Sequence, residues 1–311
     1  MATPRSHGAA TPTTSYSATS VPPESTLPSE QAGEDFASGL ANYVFNTGFC
    51  GQQWADVQLL FFNTSVKLHR LILARSPYLA HLLMNSSPGS TLQLQFMDEN
   101  ITQEAVFIAI QDLYSASPLK RIADLDHTEL TTGPANDLVT PSNARAVLAT
   151  AYLFGSPALV QRAYAVCSSS LSADNVAQYV NWLDQRIPNS ANGFSADYGE
   201  YSQRLRSDIT NFLIRTLPAS VGANRQPLID AYAALPYELF KSCVESPDLP
   251  IEAMQERFQF AKKVVAARKK GAAASGMEES VVLAVKDDGD GMGVHVTRKP
   301  KRARQLWKVE G

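Results

Sequence analysis

Cysteine is scarce in this chain. Cys50, Cys167 and Cys243 are the only three in 311 residues, and no two have the spacing of paired metal ligands. They form no disulfide framework, so buried, reduced thiols in an intracellular protein are expected. Histidine is sparse too: His7, His69, His81, His127 and His295. None stands in a Ser-His-Asp order, and there is no Gly-rich phosphate loop. Catalysis needs convergent groups of this kind, so the chain is not expected to be an enzyme or to hold a cofactor or metal. No apolar run reaches the roughly eighteen residues of a membrane span. The start of the chain lacks an apolar signal core, so secretion is not expected and the glycosylation-type triplets at Asn63, Asn85 and Asn100 are chance matches. A net charge of −3 supplies no field that would draw nucleic acid or an anionic membrane.

Apolar side chains are plentiful. At 44% they suffice for a packed core, and the length suits one large or two modest domains. The densest stretch runs from Asp56 to Leu83. Asp56–Phe62 is rich in strand formers, Asn63-Thr64-Ser65 carries turn chemistry, and Val66-Lys67-Leu68 alternates as a second strand would. His69–Arg75 holds the compact apolar block Leu71-Ile72-Leu73. Ser76-Pro77 then predicts a helix start, with Ser as the cap and Pro at the first helical position. Tyr78, Leu79, Leu82 and Leu83 share one face of that helix. A hairpin feeding a helical hairpin, with little exposed chemistry, has the look of an interaction module.

Asp56-Val57, the strand pair, His69-Arg70, Leu73-Ala74, Ser76 and Tyr78 resemble the core signature of BTB/POZ domains. Val66/Leu68 and Leu79 stand where the family usually has aromatics. The resemblance implies an α+β chain: a BTB/POZ fold, with a small β-sheet capped by helical hairpins, then an all-α region and disordered tails.

The rest of the chain is divided accordingly. Residues 1–33 are Ser, Thr, Pro and Ala with few apolar side chains, and are expected to be disordered. Residues 34–170 are assigned to the BTB/POZ domain. It opens with a helix over Glu34–Phe49 and continues with a strand over Thr91–Phe96, with Leu92, Leu94 and Phe96 inward. A helix capped by Thr102 then runs to Tyr114. Polar residues 115–141 form an insertion, which either carries specificity or reflects drift. Two helices, Ser142–Phe154 and Ala158–Ser169, close the domain around the Gly155-Ser156-Pro157 stop. Residues 171–270 resemble the BACK-type helical region that follows many BTB domains. Its expected helices begin at Ser172, Tyr198, Leu228, Tyr237 and Ile251, with a loop at 186–196. Residues 271–311 read as a flexible basic tail, in which Val281–Val285 either adds a strand or docks as a peptide. The acidic run Asp287–Gly291 lacks the ligand spacing and closing Glu of a calcium loop.

The resemblance also implies functional residues. The first helix places Phe36, Leu40, Tyr43 and Val44 on a stripe that would join two copies as a homodimer. Asp56 and Arg70 would compensate one another near the dimer axis, within one chain or across it. The cullin-facing surface would use Met97, Asp98, Glu99 and Tyr114. Independently of the family, Arg298, Lys299, Lys301, Arg302 and Arg304 form a basic block suited to nuclear import. Lys262-Lys263 and Arg268-Lys269-Lys270 offer a second cluster. The expected function is a self-associating adaptor that recruits substrates to a cullin-type ubiquitin ligase. The alternative is a nuclear scaffold or transcription-associated BTB protein acting by dimerisation. Protein partners are expected (a cullin scaffold and an unknown substrate), in the cytoplasm, the nucleus or both, with no membrane and no direct nucleic-acid binding.

Overall fold

The structure, a computed structural model, describes residues 39–115, 138–185, 198–222, 224–251, 253–271, 277–285 and 292–300. The N-terminal tail, Phe36, residues 116–137 of the insertion, the loop at 186–197, the acidic run 287–291, and Lys301, Arg302 and Arg304 lie outside the described residues.

The first helix, α1, is α-helical over residues 39–43 and π-helical over Val44–Cys50. Strands β1 (Val57–Phe61) and β2 (Thr64–Leu68) pair antiparallel, and β3 (Thr91–Gln93) joins β1 in parallel, giving the order β2-β1-β3. The register sets Val57 against Leu68 and Leu59 against Val66, so these four side chains are buried on one face of the sheet, with half-buried Thr64 opposite Phe61 at its end. The β1–β2 turn falls one residue earlier than the sequence predicts. Phe62 and Asn63 both adopt positive φ, 46° and 62°, as a two-residue loop matched to strand twist requires. Phe62 is an unusual choice there; its ring stacks on Phe96 at 5.5 Å, which offsets the cost. The third strand is shorter than expected, yet Leu94 is buried and Leu92 and Phe96 pack on the core as the alternation predicts.

Helices cover the sheet. Arg70–Leu73 forms α2 and Pro77–Met84 forms α3. Ser76 caps α3 as expected, accepting from the Leu79 amide at 3.3 Å, and its hydroxyl donates to the Phe154 carbonyl at 2.6 Å. That second bond ties the cap to a residue 78 positions away. Thr102 likewise caps α4 (Gln103–Tyr114), accepting from the Ala105 amide at 3.3 Å. Helices α5 (Ala144–Phe154) and α6 (Pro157–Ser169) reverse at Gly155, whose φ of +70° favours glycine. A Cβ there would also meet Pro77 Cδ at 2.9 Å.

The helical region continues with α7 (Val176–Asp184) and α8 (Glu200–Asn211), which passes through a π turn, Phe212–Thr216, into α9 (Leu217–Ser220). It ends in α10 (Gln226–Ala233), α11 (Tyr237–Glu245) and α12 (Met254–Gly271). The buried side chains of the sheet and of both helical groups form one continuous core.

One departure from the sequence expectation is large. Within the stretch read as a flexible tail, β4 (Met277–Val285) and β5 (Met292–Pro300) pair antiparallel over their whole length. Val294 and Val296 are buried against the helical region. The cause is packing: α11 and α12 leave an apolar face that the alternating Val294 and Val296 fill. Among the two alternatives for Val281–Val285, the strand is what forms.

Candidate functional site

The surfaces expected to bind partners lie around α1, around the start of β1 and α2, and at the bend before α4. On α1, Leu40 and Tyr43 are about half exposed (52% and 54%), whereas Val44 packs on the core. Trp54 stands beside Tyr43, the two rings 6.3 Å apart, and is 71% exposed. Trp54 escaped the sequence reading because it sits in a loop and belongs to no periodic stripe. Its positive φ of 55° holds it out of any regular element.

Asp56 and Arg70 do not pair as side chains. Asp56 Oδ1 accepts instead from the Arg70 backbone amide at 2.7 Å, which fixes the first turn of α2. The Arg70 guanidinium turns the other way. It donates to the carbonyls of Leu83 (2.7 Å), Ser86 (3.0 Å) and Ser87 (3.3 Å) and to Ser86 Oγ (2.8 Å), closing the C-terminal end of α3. An acid at a helix start and a cation at a helix end each match the local dipole. The expected mutual compensation is therefore replaced by two helix-terminus contacts within one chain.

Between them lies His69. Its Nε2 is 2.7 Å from the Gln53 carbonyl, which can only accept, so the Nε2 carries the proton. Nδ1 then accepts from the Tyr114 hydroxyl at 2.8 Å, and the same hydroxyl accepts from the His69 backbone amide at 2.9 Å. Tyr114 is only 2% exposed, and burial pushes its phenol up to about 12. Gly48 of α1 lies against this pair, where a Cβ would be 3.2 Å from the His69 ring. Tyr114 is thus a buried partner of His69 and does not belong to an outward-facing surface, which corrects its expected cullin-facing role.

The remaining bend residues divide. Met97 is 59% exposed and Glu99 is exposed, with Gln185 of the α7 C-terminus donating to Glu99 Oε2 at 3.1 Å. Asp98 turns inward. It accepts from the Asn100 amide at 2.9 Å, the Asn100 side chain at 2.7 Å and the Tyr198 hydroxyl at 2.7 Å. Tyr198 in turn stacks on Trp182 of α7 at 5.2 Å. The bend is therefore held by the helical region, and Met97 and Glu99 are what it presents.

The basic segments also divide. Arg298 and Lys299 lie on β5, not in a flexible tail, and Arg298 sits over the Tyr237 ring at 5.3 Å. Arg268, expected in a second basic cluster suited to nuclear import, is nearly buried. It meets Glu279 through two contacts at 2.7 and 3.1 Å and bonds the carbonyls that end α10, including Leu235 at 2.5 Å. No helix among the described residues is long and apolar enough to cross a membrane.

With this geometry in hand, similarity to known proteins becomes informative. No family model matches the chain. It is 25% identical over 282 residues to BTB/POZ domain-containing protein 2 of Schizosaccharomyces pombe, a similarity that covers 88% of this chain and 92% of the relative. That homologue supports the BTB/POZ resemblance drawn from Asp56–Tyr78, and the mixed α+β architecture agrees with it.

Proposed function

Proceeding from the BTB/POZ resemblance that this homologue supports, we propose that the protein is a non-enzymatic interaction adaptor that self-associates and recruits substrates to a cullin-type ubiquitin ligase. The exposed apolar group Leu40, Tyr43 and Trp54 carries the reading. A cluster of this kind favours a covering partner, and a second copy is the occupant that the family resemblance suggests. The bend supplies the second contact: Met97 as an apolar knob beside the Glu99 carboxylate suits a groove with a basic rim.

Purification of the intact protein from cells tests both halves. A cullin is expected to co-purify with the wild type, and Met97→Lys is expected to reduce its recovery at least tenfold. Tyr43→Lys is expected to lower the mass measured by light scattering without loss of helix signal. A reproducible absence of any cullin overturns the ligase reading, and an unchanged mass overturns self-association through α1.

The second reading, a nuclear scaffold, rests on the basic residues 298–304. Substituting Lys301, Arg302 and Arg304 by Ala leaves β5 untouched. A loss of nuclear signal is the expected result; an unchanged distribution removes this reading.

A further inference from the structure

Among the described residues, the C-terminal hairpin has one protected edge and one open edge. On β5, the Val296 amide donates to Glu245 Oε1 at 2.8 Å, and its carbonyl accepts from the Tyr237 hydroxyl at 3.0 Å. Both backbone groups of Val296 therefore point away from β4, and α11 covers this outer edge. In an antiparallel ladder the residue opposite shares that orientation. Val296 pairs with Val281, so Val281 directs its amide and carbonyl away from β5, as do Glu279 and Leu283. No hydrogen bond from another described residue meets these groups.

The side chains are open along the same edge. Val281, Leu283, Val294 and Val296 share the face that packs on the helical region. Val296 and Val294 are 1% and 4% exposed, Val281 is half-buried and Leu283 is 37% exposed, so burial falls away toward the outside of β4. On the opposite face Val282 is 41% exposed. Natural edge strands usually carry lysine, proline or a bulge that discourages pairing. The open stretch Ser280–Val285 has none of these, and the inward-pointing charge next to it, Glu279, is held by Arg268.

We propose that the outer edge of β4 is a self-association surface, where β4 of a second copy adds antiparallel to make a four-stranded sheet. The sequence suits this occupant because one register is self-complementary. Centred on Val282, it sets Val281 of one copy against Leu283 of the other, twice, on the helix-facing side. It sets Val282 against Val282 on the other side. Glu279 then faces position 285 of the second copy, so no acid opposes an acid. The apolar strip beneath β5 becomes continuous across both copies, and the outward amides and carbonyls find partners. This contact is separate from the one proposed for α1.

Cross-linking reads the register directly. In this arrangement Val282 and its copy form a non-hydrogen-bonded pair on the two-fold axis, with Cα atoms about 4.5 Å apart, within disulfide reach. Ser280 and its copy lie four residues out of register, roughly 13 Å apart at the usual strand rise. The full chain carrying Cys50→Ser, which removes the exposed thiol, is the background. Under mild oxidation Val282→Cys is expected to give at least tenfold more disulfide-linked dimer than Ser280→Cys. Adding Leu283→Lys to Val282→Cys is expected to abolish the dimer with the helix signal unchanged, and Tyr43→Lys is expected to leave it. Failure of Val282→Cys to cross-link overturns the proposal, including the case in which a foreign peptide occupies the edge. Equal cross-linking of the two cysteine variants also overturns it.

Discussion

The Tyr198 hydroxyl donates to Asp98 at 2.7 Å, joining residues 100 positions apart and fastening the bend before α4 to the helical region. Burial, then the nearby Asp98 charge, keeps the phenol protonated well above its ordinary range. A hydrogen bond to a charged group contributes about 1.5–3 kcal/mol. Tyr198→Phe removes this donor while Asn100 still serves Asp98, so the loss in urea unfolding should lie near the lower end of that range. Asp98→Ala removes three accepted bonds and should cost more. Equal stability of wild type and Tyr198→Phe would show that the bend is held by packing alone.

Tyr114→Phe makes a sharper test of the His69 network. The substitution strips the His69 amide of its acceptor and Nδ1 of its donor at once. Each buried polar group left unpaired costs about 1–3 kcal/mol. A drop of about 2–4 kcal/mol in denaturant unfolding is expected on that basis. Because His69 adjoins Arg70, whose amide Asp56 holds, hydrogen exchange should also quicken at the start of α2.

Much of this was legible in the sequence, and the failures have physical causes. The caps at Ser76 and Thr102 were readable because a cap is a local contact between a hydroxyl and an amide three residues on. The burial of Tyr114 was available too. Val106, Ile110 and Tyr114 recur at offsets of four, so they continue one buried stripe, but the residue was read as a helix end instead. The Asp98–Tyr198 bond left no trace in either neighbourhood, because it depends on how α8 returns to the sheet domain. The C-terminal hairpin was hidden by its charges: Arg298 and Lys299 read as a basic tail, whereas strand pairing with Glu279 and Glu278 sets them beside acids. Asp56 and Arg70 were expected to compensate one another, but within the chain Asp56 holds a backbone amide and Arg70 mainly backbone carbonyls, which side-chain chemistry alone does not reveal.

Arg268 is the residue on which the hairpin's attachment turns. Its guanidinium bridges Glu279 on β4, the carbonyls ending α10 and the Phe240 ring of α11, 4.8 Å away. Both members of the ion pair are nearly buried, with side chains 11% and 12% exposed. Breaking a buried pair from one side costs about 3–5 kcal/mol, and the lower end applies here because Arg298 still faces Glu279 at 3.9 Å. Arg268→Ala is expected to lose that much, with fast amide exchange appearing in β4 and β5 before the sheet domain. Arg268→Lys should recover only part, because an ammonium cannot reproduce the fork that meets Glu279 twice. Arg268→Ala/Glu279→Ala should be more stable than Arg268→Ala alone.

Alkaline pH should unfold the protein before its tyrosines titrate freely. Burial raises the thiols of Cys167 and Cys243 from 9.0 to about 12 and, as the largest cause, the phenols of Tyr114, Tyr164 and Tyr179 from 10.0 to about 12. In every case the neutral form is favoured by the fold. A group of this kind contributes its full stability below the unfolded value and loses it as pH rises through the folded one. Stability should therefore stay level with respect to these groups up to about pH 9, then fall steadily toward 12. The thiols act first, so a chain with Cys167→Ala and Cys243→Ala should begin its decline nearer 10. Denaturant midpoints measured across this window, alongside phenolate absorbance at 295 nm in the ultraviolet (roughly where the ionised ring absorbs), give the check. If the buried rings ionise while the denaturant midpoint holds steady, the tyrosine pockets are open to water and the packing described for Tyr114 is wrong.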